Sequence, residues 1–149
     1  MDYSSDQVLE RLSRQHHQAL EFCQRIRRDL LEDVPLDQIH RYAKGYWQTY
    51  LEPHFQMEQH CLYPLLGPHN VRIKRAVAQQ RRLSRLFHKE TDLRRVLNQA
   101  EEELAAYVRF EQRALQREIA DEVKKLNHER VKSCQQHRGN QKECLWSSG

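Results

Sequence analysis

Tyr46-Trp47-Gln48-Thr49-Tyr50-Leu51-Glu52-Pro53-His54-Phe55-Gln56-Met57-Glu58 decides the fold of this chain. Its apolar and aromatic residues recur at steps of three and four, the period of a helix with one buried face. Extended over residues 36–66, the inner side reads Ile39, Ala43, Tyr46, Trp47, Tyr50, His54, Met57, Glu58, Cys61 and Leu65. Pro53 lies inside this pattern and should loosen or kink the helix just before His54. Two residues do not suit an apolar stripe. His54 and Glu58 stand one helical turn apart and project into the same interior.

The same period runs outward in both directions. Upstream, Val8 or Leu9, Leu12, His16, Ala19, Cys23, Ile26 and Leu30 form a stripe on a first helix. Ser4 and Gln7 fit a capping box at its start, and Asp33-Val34-Pro35 is the turn that follows. Gly67-Pro68 ends the second helix. Asn70 is a good N-cap for a third, with Ile73, Ala76 or Val77, Gln80, Leu83 and Phe87 inside. Thr91-Asp92 is the only capping signal before a fourth helix. That helix carries Leu93, Leu97, Ala100, Leu104, Tyr107, Glu111, Ala114 or Leu115, and Glu118. No sustained strand alternation occurs. The expected fold is all-α: an antiparallel up-down-up-down four-helix bundle over residues 1–127. A polar tail, 128–149, is expected to fray.

Composition limits the function classes. The chain has 149 residues, which suits one domain with a sizeable core. Its net charge of +4 is mild, and its basic residues scatter over helix faces, which argues against nucleic acid as a partner. No stretch approaches the roughly 20 apolar residues of a membrane span. The N-terminus lacks the basic and apolar regions of a signal peptide. The cysteines, Cys23, Cys61, Cys134 and Cys144, show no CxxC spacing. Mostly free thiols and a cytoplasmic location are the expectation. Cys134, His137 and Cys144 are too irregularly spaced, and too few, for a zinc site.

The chemistry concentrates in polar residues on the inner stripes. His54 with Glu58, and Tyr107 with Glu111, are each one turn apart. His16 lies at similar depth, since at roughly 1.5 Å per residue its mismatch with His54 is about one turn. Gln80 joins the layer from the third helix. Taken singly, each has an ordinary explanation as a hydrogen-bonded core residue. Together, two carboxylates and two histidines at one depth suggest a metal site. A cation neutralises buried carboxylates and uses the lone pairs of neutral imidazole. Histidine and carboxylate with open positions is a ligand set of non-haem iron, and such sites also accept manganese or zinc. His88 adjoins the stripe of the third helix, while His40, His60 and His69 fall off the stripes.

Longer segments carry a resemblance. Leu12-Ser13-Arg14-Gln15-His16-His17-Gln18-Ala19-Leu20, Pro53-His54-Phe55-Gln56-Met57-Glu58 with Leu62-Tyr63-Pro64, and Val108-Arg109-Phe110-Glu111-Gln112-Arg113 resemble the helices of the hemerythrin-like HHE cation-binding domains. The resemblance covers roughly residues 8 to 123. It implies a carboxylate-bridged, usually di-iron, centre. His16, or its neighbour His17, would match the first-helix ligand. His54, Glu58 and Glu111 would match three more. Gln80 and Tyr107 stand where the family has histidines. The resemblance therefore implies an asymmetric site, mono- or di-iron, in which Tyr107 either ligates as phenolate or only hydrogen-bonds Glu111. The function it implies is binding or sensing dioxygen, nitric oxide or iron. The alternatives are a small oxidase or peroxide-consuming enzyme, and a metal-free interaction bundle with a decayed site.

Overall fold

The computed structural model describes residues 5–125 as four helical rods joined by short turns. The first rod is α1, Ser5–Leu31. The second comprises α2, Leu36–Tyr46, a π turn at Trp47–Leu51, α3, Glu52–Met57, a second π turn at Glu58–Leu62, and a 3-10 turn at Tyr63–Leu66. The third is α4, Val71–His88. The fourth comprises α5, Leu93–Phe110, a π turn at Glu111–Leu115, and α6, Gln116–Lys125. The all-α bundle expected from periodicity is what forms. Ser4 of the proposed capping box and the tail with Cys134, His137 and Cys144 lie outside the described residues.

The turns have local causes. After α1, Val34 N–H donates to Asp29 O at 3.0 Å and Asp33 N–H to Leu30 O at 3.4 Å. This pair of bonds closes a helix end when one residue is left-handed, and Asp33 takes that role at φ 57. Gly67, at φ 94, ends the second rod. Asn70 caps α4, accepting from Arg72 N at 2.9 Å and Ile73 N at 3.2 Å. Such a cap stabilises by about 1 kcal/mol. Asp92 precedes α5 without capping it. Its side chain accepts from Arg95 instead, at 2.9 Å.

The stripes resolve in favour of Val8, Ala76 and Leu115, all fully buried. Full burial of Leu12, Leu104 or Leu115 is worth about 1.5–3 kcal/mol each. Tyr50 departs from expectation. It is 58% exposed, and Leu51 is buried in its place. The stripe changes phase at the π turn Trp47–Leu51, where Glu52 N–H, five residues on, bonds to Trp47 O in place of the usual i+4 partner. The same wide turn takes up the break in hydrogen bonding at Pro53, so the expected kink is a π turn.

The cysteines also correct the reading. Cys23 is a free buried thiol, but Cys61 is disulfide-bonded. Spacing along the chain says nothing about two thiols that meet in space. No helix among the described residues is long and apolar enough to cross a membrane.

Candidate metal centre

The middle of the bundle holds a layer of buried polar side chains: His16, His54, Glu58, Gln80 and Glu111, with Tyr107 among them. All six residues singled out from the sequence meet there. His16 comes from uninterrupted α1. His17 points away, with its side chain 74% exposed and paired with Glu21 at 3.6 Å. The other ligand candidates sit at π turns. Glu58 opens one and Glu111 opens another, while His54 lies in the short α3 between two. Wide turns of this kind are frequent at functional sites. His88 is exposed and bonds to Ser84 O at 2.7 Å, well away from the layer.

The two carboxylates divide their oxygens between two environments. Glu111 Oε1 is 2.6 Å from His16 Nε2. Glu58 Oε2 is 3.3 Å from His54 Nε2, and it has no hydrogen-bond partner although fully buried. Donor atoms of His54, Glu58 and Glu111 lie within 4.8 Å of one another. The opposite oxygens are taken up elsewhere. Glu58 Oε1 accepts from Gln80 Nε2 at 3.0 Å and Tyr107 OH at 2.9 Å. Glu111 Oε2 accepts from Tyr63 OH at 2.5 Å and Tyr107 OH at 2.9 Å. Tyr63 and Tyr107 are themselves 2.7 Å apart, and Gln80 donates to Tyr107 at 2.7 Å. Gln59 in turn donates to Gln80 Oε1 at 2.5 Å.

Tyr63 is the residue that periodicity missed. It stands five residues after Glu58, about 140° away on a regular α-helix. The π turn at Glu58–Leu62 swings it back over the layer. One signal was visible in the chain: the family's trailing Leu-Phe-Pro reads Leu62-Tyr63-Pro64 here, which adds a hydroxyl to a core position. Gln59 gave no such signal, being an ordinary polar residue beside the stripe.

The electrostatics follow the same division. Burial, and then repulsion from Glu111, push Glu58 well above the usual carboxylate range. Burial also acts against ionised Glu111, but hydrogen bonds from Glu58 and His16 outweigh it and hold Glu111 well below that range. The two shifts run in opposite directions, so a proton shared by the metal-free pair is favoured on Glu58. Tyr107 has a single hydroxyl hydrogen, so it donates to one of its two carboxylate contacts at a time. Burial lowers His54 to about 4, so its imidazole is neutral and its lone pair free to ligate. Burial, reinforced by Glu111 and Glu58, raises both Tyr63 and Tyr107, which keeps both phenols protonated.

The donors fit a cation on one side of the layer. His54 and one oxygen each of Glu58 and Glu111 converge there, with His16 bonded to Glu111 Oε1 beside them, and Glu58 Oε2 is buried without a hydrogen-bond partner. Burying such an atom costs free energy unless something binds it. The profile of the hemerythrin HHE cation-binding domain matches residues 7–132. The chain belongs to this family. Metal-ion binding through the hemerythrin-like bundle follows from that membership and from the buried His54, Glu58 and Glu111. Neither the curated proteins nor the solved structures include a significant match to this hemerythrin-like chain.

Proposed function

We propose that this hemerythrin-like protein holds a single iron ion on His16, His54, Glu58 and Glu111, and that it binds or senses dioxygen, nitric oxide or iron itself. The observation that carries the reading is the division of carboxylate oxygens. Glu58 Oε2 and Glu111 Oε1 face the histidines, while Glu58 Oε1 and Glu111 Oε2 are occupied by Tyr63, Tyr107 and Gln80. A carboxylate that bridges two metals needs both of its oxygens. Here protein hydrogen-bond donors stand where a second cation would lie. In this reading Tyr107 donates a hydrogen bond and is not a phenolate ligand.

Iron held there would supply a Lewis-acidic, one-electron redox centre able to take a small ligand. The chain does the rest. Tyr63, Tyr107 and Gln80 fix the rotamers of both carboxylates. Glu58 gives up its proton when the site fills, so affinity rises with pH. Manganese or zinc would suit the same donors. The reading includes a cytoplasmic location, against which the disulfide at Cys61 speaks.

A specific observation favours a second reading, a small oxidase or peroxide-consuming enzyme. A cavity of about 600 Å³ is lined by His16, His54, Tyr107 and Glu111 and runs outward past Tyr46 and Tyr50. That is within the range of organic-ligand pockets and far larger than a diatomic needs.

Metal analysis after expression in iron-supplemented medium tests the proposal. The expected result is about one iron per chain, with a rise in thermal stability on adding Fe(II) to metal-free protein. A content below about 0.3 per chain with no such rise would sink it in favour of a metal-free interaction bundle. About two irons per chain, or a ferric charge-transfer band that disappears in Tyr107→Phe, would restore the second position and the phenolate.

A further inference from the structure

Tyr42, Tyr46 and Tyr50 lie at i, i+4 and i+8 on the outward side of the second rod, beside α1. Tyr42 is 37% exposed and Tyr50 58% exposed on a surface otherwise rich in charge. Phe22 of α1 stacks on Tyr46, with ring centroids 4.1 Å apart and planes within 7°. Tyr50 leans on Tyr46 at 5.1 Å. These rings floor and wall a groove of about 870 Å³. The groove shares Gln18, Tyr46, Thr49 and Tyr50 with the cavity that reaches His16 and His54, so the two spaces adjoin.

Gly45 gives the groove a purpose. It sits inside α2 and lines the groove, and a Cβ built there would meet nothing within 4 Å. Packing does not require a glycine at this position, and a helical glycine is less stable than alanine. Close approach of a ligand to the backbone is a recognised use of such a residue. The missing side chain leaves the floor flat and open beside Tyr46.

Charge at the outer end is biased one way. Arg25 lies over the Tyr42 ring, its Cζ 4.7 Å from the centroid, and Arg28 stands one turn on. Arg25 also contacts Asp29 at 3.5 Å. Glu21 is the acidic residue of the lining, and it reaches toward His17 at 3.6 Å.

We infer that this groove binds a flat aromatic acid, its ring on the floor formed by Gly45 and Tyr46, which buried Phe22 backs, and its anionic group at Arg25 and Arg28. Aromatic faces take flat rings in offset stacks. Guanidinium groups pair with carboxylates through two donors at once. Such a molecule, with its far edge in the adjoining cavity, would face the histidine side of the layer. As a statement about substrate class this rests on the proposed metal site; as a statement about binding it does not.

Naphthoate, whose own fluorescence reports binding, is the probe, titrated into the full chain with and without iron. The expected result is saturable binding to both forms. The uncharged naphthamide and the non-aromatic cyclohexane carboxylate should each bind at least about tenfold more weakly. Gly45→Leu fills the floor and should weaken naphthoate binding by more than about tenfold, with an unfolding midpoint at or above the parent's. Arg28→Gln should bring naphthoate down to the level of naphthamide. The inference is overturned if naphthoate does not saturate, if naphthamide matches it, or if Gly45→Leu binds unchanged. Tyr50→Ala, at an exposed position, repeats the test without touching the helix backbone. Iron content, read separately, tells failure of the metal site from failure of the groove.

Discussion

The two sides of the buried layer are built from the same carboxylates and reach opposite solutions. On one side, His16 and His54 meet Glu111 Oε1 and Glu58 Oε2, and one oxygen is left without a hydrogen bond. On the other, Tyr63, Tyr107, Gln80 and Gln59 form a closed network on the remaining oxygens. One side is satisfied by the protein alone and the other is not. A buried site can therefore be half a ligand set and half a core. The two halves differ in which atoms still lack a partner, not in which residues are polar.

The sharpest way to break this contrast is to remove one member from each side. His54→Ala should abolish iron retention, with affinity in a chelator competition falling by more than about a hundredfold. Tyr63→Phe, on the other side, should keep its iron and lose only about 1–2 kcal/mol of stability in denaturant unfolding, since Glu111 Oε2 retains Tyr107. Equal loss of iron in both variants would mean that the two sides are not distinct.

A second variant should erase the contrast instead. Gln80→His with Tyr107→His returns imidazole to the satisfied side, and adding Tyr63→Phe removes the remaining donor on Glu111 Oε2 and frees both carboxylates to bridge. Metal content measured on this triple variant should rise from about one to about two per chain. If it stays at one, the network of donors is not what keeps a second cation out.

The legibility of this chain divides along the same line. The bundle was readable because its inner stripes keep a period of three and four over most of four rods. His16, His54, Glu58 and Glu111 were readable because a charged or imidazole side chain on such a stripe needs a partner. Tyr63 was not, because a π turn changes the count between it and Glu58. Tyr50 was misplaced for the same reason. The pairing of Cys61 was not readable either, since a disulfide depends on distance in space. Which oxygen of each carboxylate lacks a partner is a matter of rotamers, and no periodicity reports that.

The smallest expected effect is on pH dependence in the metal-free protein, where His54 and Glu58 pull in opposite directions. His54 is held near 4, below its ordinary value of 6.5, so it stabilises the fold fully above 6.5 and loses that contribution as pH falls toward 4. The loss is at most about 3 kcal/mol. Glu58 is raised, so its contribution is full below its ordinary value of 4.5 and declines as pH rises toward its elevated value. Unfolding midpoints measured across pH should show the metal-free chain losing stability at both ends. Iron should remove the alkaline loss, because Glu58 is then an ionised ligand. An alkaline decline that iron leaves unchanged would separate Glu58 from the metal.

The π turns have a consequence for the chain as a thread of fixed length. Each stores one residue more than an α-helix of the same rise would use, so it behaves like an insertion the rod has absorbed. A chain shortened by one residue at exposed Gln48 would close Trp47–Leu51 to an ordinary turn and keep the residues on either side in phase. Lengths counted along the second rod can thus drift between related chains by single residues while His54 and Glu58 stay at the same depth. Alignments that forbid gaps inside helices would misplace such residues first.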